Sequence, residues 1–289
     1  MDANTRVERA LNAALAYAES GHPPPGLADA MRYAVFPGGA RVRPRLCLAV
    51  ARACGDTDLT LAEASAAAVE LMHCASLVHD DLPCFDDADA RRGKPSVHRL
   101  FGERLAVLAG DAMIVLAFQH MARIGACAPD RLANLILTLG RAIGMPGGIV
   151  AGQAWECEPA INTEEYQRCK TGALFAGAAE LGAASAGKDT GPWRRMGELL
   201  GACYQVADDI CDAAGDAEVV GKPVGQDTAL DRPSMVRDFG LEGAIAHFRD
   251  LVDQCAEAVP DCPGRTSLQS LLRLEAARLI PEKLREVAA

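Results

Sequence analysis

Apolar residues return at three- and four-residue steps along almost the whole chain, with glycine or proline at the interruptions. This period predicts helices over 5–20, 26–35, 44–54, 60–82, 103–123, 130–144, 148–156, 163–186, 192–212, 234–239, 241–258 and 265–286. Segment 60–82 carries the pattern plainly: Leu61, Ala64, Ala68, Leu71, Met72, Ala75 and Val78 share a face, and Thr60 is placed to cap the N-terminus. Strand alternation is not found. The interruptions at 21–25, 37–39, 126–130, 187–192 and 261–264 are too short to be domain linkers. The expected fold is all-α, a single-domain helical bundle over residues 1–289.

Composition narrows the function more than the fold. Aromatic residues make up 4% of the chain while half of it is apolar, which suits closely packed small-residue helices. A net charge of -10 has the wrong sign for wrapping nucleic acid or adhering to an anionic membrane, so small-molecule chemistry is expected. The 11 cysteines are odd in number, scattered and without a C-x-x-C pair, which fits reduced thiols in a cytoplasmic protein. The N-terminal stretch starts polar and acidic and reads as an amphipathic helix rather than an export signal. No uninterrupted apolar run reaches the roughly 18–20 residues of a transmembrane segment.

The informative feature is an echo. Asp80-Asp81 and Asp208-Asp209 both place paired carboxylates near the end of a strongly apolar helix. Asp208 and Asp212 are four residues apart, so they face one side of their helix and repel. They also sit near its C-terminus, where the macrodipole disfavours each anion by about 0.3–1 kcal/mol. A multivalent cation removes both penalties. In the first run Pro83 ends the helix, so that Asp86 can swing back toward Asp80. Carboxylates without Cys or His at ligand spacing suit Mg²⁺ shared with phosphate oxygens. Arg91-Arg92-Gly93-Lys94 follows the first run and Gly221-Lys222 the second, as a diphosphate held between metal and fixed cations requires. The bland alternative is a pair of solvated helix ends. A P-loop is excluded, because the spacing from Gly215 to Gly221 is one residue too long and Pro223 stands where Ser or Thr is needed.

These motifs resemble the trans-isoprenyl diphosphate synthases, most closely the geranylgeranyl diphosphate synthases of bacterial carotenoid pathways. The family's DDxxxxD followed by RRG is matched by Asp80, Asp81, Asp86, Arg91, Arg92 and Gly93, and its DDxxD by Asp208, Asp209 and Asp212. The resemblance implies a bundle around a deep cavity, a homodimer, and three Mg²⁺ ions held by those six aspartates against an allylic diphosphate. It implies that Arg91, Lys170 and Lys222 hold that diphosphate, with Arg232 replacing a family lysine. Arg43, His73 and Arg92 are implied to hold isopentenyl diphosphate, while Thr171 and Gln205 lie near the developing carbocation. Gln153 is a further candidate from Gln153-x-x-Glu156, where the family's aspartate is lengthened to glutamate. The lysine of the family's GGKRxRP is replaced by Ala40, leaving Arg41 and Arg45 as flanking cations.

Every one of these positions also has a structural reading. His73 would serve as a core histidine, Gln205 as a helix-helix linker, Thr171 as a back-bonded hydroxyl and Lys170 as a surface lysine. For product length the resemblance points to Ala75 and Ser76, about one helical turn before Asp80: a small residue at Ala75 leaves room for a C20 chain where a bulky one stops at C15. Met113 or Phe118 on the next helix is the alternative floor. The expected activity is condensation of isopentenyl diphosphate with an allylic diphosphate to geranylgeranyl diphosphate. A farnesyl diphosphate synthase and a non-catalytic subunit of a heteromeric synthase are the alternatives.

Overall fold

A computed structural model describes residues 1–36, 38–160, 162–213 and 235–285. The periodic segments fold as helices, joined by one short helix, Val97–Phe101, that the apolar period does not predict: α1 (Ala3–Ala18), α2 (Pro25–Val35), α3 (Val42–Ala53), α4 (Thr60–Asp80), α5 (Val97–Phe101), α6 (Glu103–Gly125), α7 (Pro129–Ile143), α8 (Ile149–Trp155), α9 (Thr163–Gln167), α10 (Ala173–Ser185), α11 (Gly191–Ala213), α12 (Met235–Glu257), α13 (Arg265–Ala277) and α14 (Glu282–Arg285). Their packing centres on α4 and α10. Every residue of α10 is buried, as a helix apolar on all sides must be, and α10 packs against α3, α4, α7 and α11. The approach to α3 is so close that a methyl group on Gly182 would strike the Cys47 carbonyl. α4 is covered by α6 on one side and by α1, α3 and α10 on others.

The departures from the sequence reading are local. Thr60 opens α4 rather than capping it; Asp58 Oδ1 accepts from the Thr60 backbone N–H at 3.1 Å and from its hydroxyl at 2.6 Å. Residues 163–186 do not form one α-helix, because Arg168–Gly172 winds as a π-helical turn between α9 and α10. A two-strand hairpin, β1 (Ala90–Arg91) and β2 (Lys94–Pro95), appears where no strand is expected. Its loop residues Arg92 and Gly93 both have positive φ, the conformation of a type I′ turn, and two-residue strands are too short to show alternation. The break expected at Gly240 is a kink inside α12, with φ 72°. The last predicted helix stops at Ala277, with Pro281 following, a residue that a continuing helix does not tolerate.

By length and composition α4 and α6 are each long and apolar enough to cross a bilayer, although Glu63 and Glu70 in α4 and Asp111 in α6 interrupt their apolar runs. In α4 78% of the apolar window is buried inside the bundle, which marks it as a core helix, against 44% in α6. The exposed part of α6 includes Leu108 and Val115. All 11 cysteines are free thiols.

Candidate active site

A cavity of about 710 Å³ opens between α4, α6, α8, the π-helical turn and α11. Its wall brings together Arg43, His73, Ser76, Asp80, Gln153, Arg91, Lys170, Thr171, Gln205 and Asp208, residues far apart in sequence. Leu77, Val107, Ile149 and Val150 supply apolar wall. The cavity thus joins fixed charge of both signs to a surface able to bury a hydrocarbon chain.

The first acidic motif is shaped by the end of α4. After Asp80 the chain turns back, and the backbone N–H of Asp86 donates to the Asp80 carbonyl at 3.0 Å, as expected of a helix ended before Pro83. Adjacent helical residues point about 100° apart, so Asp80 and Asp81 cannot do the same work. Asp80 lines the cavity. Its Oδ1 is buried and has no hydrogen-bond partner among the described residues; Lys170 Nζ stands 3.6 Å from it, and Arg91 Nη2 is 3.7 Å from Oδ2. Asp81 is 2% exposed and accepts from Arg91, at 2.7 Å and 2.9 Å from Nε and 2.6 Å from Nη2. Burial works against the Arg91 charge, but the bonds from Arg91 to Asp81 and the charge of Asp80 more than offset it, and its pKa is raised.

The second motif divides in the same way. Asp208 faces the cavity with Tyr204 and Gln205, whereas Asp209 is buried and accepts from the Met235 backbone N–H at 2.8 Å, tying α11 to the start of α12. Asp86 and Asp212 are not on the cavity wall. Among the described residues no three acidic, His or Cys side chains gather to cage a metal. The donor set fits Mg²⁺ nonetheless: this ion keeps several waters and takes one or two protein carboxylates beside substrate phosphates, and Asp80 offers a buried oxygen without a hydrogen bond.

Opposite in chemistry is the pair Arg43 and His73. Arg43 lies over the Phe175 ring, 4.4 Å from its centroid, and its Nη1 is 3.4 Å from His73 Nε2. Burial and the charges of Arg43, Arg92 and Arg91 hold His73 well below its usual pKa, so it is neutral at pH 7. Arg92 lies outside the main wall; it packs on Gly39 and lines a neighbouring cavity of about 120 Å³ with Arg91, Lys94 and Tyr33.

The flanking arginines are not exposed spares. Arg41, with φ 51°, is buried and bonded to Glu8 at 2.8 Å, Glu70 at 2.7 Å and the Val35 carbonyl at 2.7 Å. Arg45 pairs with Glu275 at 2.7 Å.

Lys170 comes from the π-helical turn, with Thr171 beside it. The Thr171 hydroxyl is 3.3 Å from Gln205 Oε1, and Gln205 Nε2 is 3.3 Å from Asp209 Oδ1. Lys170 Nζ donates to Glu156 Oε1 at 2.5 Å. Burial disfavours its charge, but Asp80, Tyr166 and Glu156 together raise its pKa. Of the product-length candidates, Ser76 is on the wall, whereas Ala75 is 1% exposed and packed in the core. Met113 is fully buried and Phe118 packs against the core, and neither lines the cavity. Lys222 and Arg232 lie outside the described residues. The sequence reading passed over Val107, Ile149, Val150 and Tyr204, for which no motif exists, because an apolar wall residue and a core residue follow the same period.

Residues 24–266 match the polyprenyl synthetase family. The chain is 49% identical over 279 residues to the geranylgeranyl diphosphate synthase of Cereibacter sphaeroides, covering 96% of this chain and 97% of that one. It is 48% identical to the geranylgeranyl diphosphate synthase of Rhodobacter capsulatus, covering 97% of each. Among solved structures, the geranyltransferase of Helicobacter pylori, complexed with magnesium and isoprenyl diphosphate, superposes with a TM-score of 0.76 at 29% identity, over 93% of this chain and 95% of that one.

Proposed function

The chain belongs to the polyprenyl synthetase family, and on that premise we propose that it is a Mg²⁺-dependent prenyltransferase condensing isopentenyl diphosphate with an allylic diphosphate to geranylgeranyl diphosphate. One observation carries the reading: Asp80, Asp208, Arg43, Arg91 and Lys170 share a cavity with the apolar wall of Leu77, Val107, Ile149 and Val150. Charge at one part of the cavity suits two diphosphates. The apolar part suits a prenyl tail.

Magnesium, three ions by family resemblance, would be held by Asp80 and Asp208 with Asp81, Asp86, Asp209 and Asp212 in support, and would supply the charge neutralisation that lets a diphosphate leave. Lys170 and Arg91 are fixed cations, held by Glu156 and Asp81, that meet the negative charge accumulating on the leaving group without reorganising during the reaction. Lys222 would join them. Arg43 and Arg92 bind isopentenyl diphosphate as guanidinium groups suited to phosphate oxygens, and His73, being neutral, adds a hydrogen bond without a further charge. The hydroxyl of Thr171 and the amide oxygen of Gln205 present negative dipoles where positive charge develops on the allylic carbon. No side-chain nucleophile is needed: the isopentenyl double bond supplies the electrons, and the departed diphosphate takes the proton that is lost.

The reading extends to the assembly and the setting. Residues 1–289 act as one domain, in a homodimer in which a second copy covers the exposed α6 residues Leu108 (51% exposed) and Val115 (55%). Eleven free thiols suit the reducing cytoplasm, and the C20 product suits carotenoid synthesis. Incubating the purified chain with labelled isopentenyl diphosphate, farnesyl diphosphate and Mg²⁺ is the direct test. Label recovered in geranylgeranyl diphosphate supports the proposal, and no incorporation with any allylic diphosphate refutes it.

A further inference from the structure

The carboxylate of Glu156 is a meeting point for side chains from three elements. Its Oε1 accepts from Lys170 Nζ at 2.5 Å and from the Tyr166 hydroxyl at 2.6 Å, while Oε2 accepts from Gln153 Nε2 at 2.9 Å. Glu156 follows α8 directly, Gln153 lies in α8, Tyr166 in α9, and Lys170 in the π-helical turn. The backbones of α8 and this turn are themselves in contact, since a methyl group on Gly152 would collide with the backbone of Lys170. Both carboxylate oxygens are therefore engaged, and the group is oriented from two sides.

Among the described residues Lys170 has two anions within reach and hydrogen-bonds to one of them. Its ammonium is at hydrogen-bond distance from Glu156 but 3.6 Å from Asp80 Oδ1, the buried oxygen that has no hydrogen bond among the described residues. A lysine stem is flexible, and without Glu156 the obvious place for a half-buried ammonium is a direct bond to Asp80. Such a bond would occupy a carboxylate oxygen needed for the metal and withdraw the cation from the diphosphate.

Resting on the reading of Lys170 and Asp80 given above, we propose that Glu156 is a positioning residue that draws the Lys170 ammonium off Asp80, leaving Asp80 open to Mg²⁺ and Lys170 directed at the allylic diphosphate. Glu156 itself is not on the cavity wall. Its role is exerted through Lys170.

A double-mutant cycle over Glu156→Ala and Lys170→Ala tests this, with far-ultraviolet circular dichroism to verify the fold of each variant. Two quantities are measured: the kcat/KM for farnesyl diphosphate, and the calorimetric Mg²⁺-dependent affinity for farnesyl thiodiphosphate, an unreactive analogue. Glu156→Ala should weaken analogue binding by about tenfold or more, the scale of one charge-assisted hydrogen bond. In the Lys170→Ala background the same change should alter either quantity less than about twofold, because residues acting as a unit are not additive. Glu156→Asp, folded and charged but one methylene short, should fall between wild type and Glu156→Ala. Equal losses in both backgrounds, or an indifferent Glu156→Ala beside a defective Lys170→Ala, would overturn the inference alone. An indifferent Lys170→Ala would overturn the role of Lys170 in the proposed reaction and this inference with it.

Discussion

Arg43 Nη1 lies 3.4 Å from His73 Nε2, so a cation is held against an imidazole that its surroundings keep uncharged. This has a measurable consequence for stability. In the unfolded chain His73 takes up a proton below about pH 6.5, whereas in the folded chain it does so only well below that value. The unfolded state thus binds more protons in this window, and stability falls as the pH is lowered through it. The contribution of neutral His73 is complete above about pH 6.5 and is lost toward the depressed folded pKa. Thermal unfolding in the absence of Mg²⁺ should show a steeper fall in Tm from pH 7 to pH 5 for wild type than for His73→Gln. Parallel curves would mean that the imidazole is not held neutral.

The two aspartates of each motif should fail differently. Asp80→Ala and Asp208→Ala remove carboxylates from the cavity wall, and each should lower kcat by about a hundredfold or more while leaving helical content unchanged. Asp81→Ala instead takes from the half-buried Arg91 its hydrogen-bonded partner, leaving it the longer 3.7 Å contact with Asp80, and should cost roughly 1–3 kcal/mol of stability besides activity. Chemical denaturation separates the cases. If Asp80→Ala were the destabilised variant and Asp81→Ala kept wild-type stability, the division of labour within the motif would be reversed.

That division was not legible in the sequence, although the motifs were. Two adjacent aspartates at a helix end announce a site, but which one faces the cavity depends on the rotation of α4 and α11 against their neighbours, and no residue type reports that. The helices were legible because burying one face requires the apolar period. The π-helical turn at Arg168–Gly172 was not, because one extra residue in a turn leaves the apolar pattern around Cys169 and Ala173 nearly intact. The enclosure of Arg41 was hidden for a related reason: Glu8 and Glu70, which hold it, are far away in sequence.

The replacement of the family's lysine by Ala40 can be repaired. Neither flanking arginine is available to substitute, because Arg41 is held by Glu8 and Glu70 and Arg45 by Glu275. Ala40→Lys adds a charge-assisted hydrogen bond of about 1.5–3 kcal/mol to isopentenyl diphosphate. The KM for isopentenyl diphosphate should fall by about tenfold or more on that scale, with a smaller change in the KM for the allylic substrate. An unchanged constant would place Arg92 or Lys94, which line the adjoining cavity, in the role of the missing cation.

Product length should respond to Ser76 and not in the same way to Ala75. Side chains one turn before Asp80 lie deeper along α4, where a prenyl tail growing away from its diphosphate must pass. Ser76 lines the cavity there, with its hydroxyl turned back to the His73 carbonyl at 2.9 Å, so the tail meets a small side chain whose polar atom is already bonded. Ala75, one residue round the helix, is 1% exposed among core residues. Ser76→Phe places a ring in the path of the tail, remote from the metal and the cations, and should shift the product from C20 to C15 with turnover retained. Ala75→Tyr forces a ring into close packing and should cost about 1–3 kcal/mol of stability whether or not it shortens the product. Chromatography of the dephosphorylated products, with denaturation curves of both variants, decides between the two positions. A Ser76→Phe enzyme that still releases mainly C20 would move the stop to another wall, with Val107 and Val150 the next residues to enlarge.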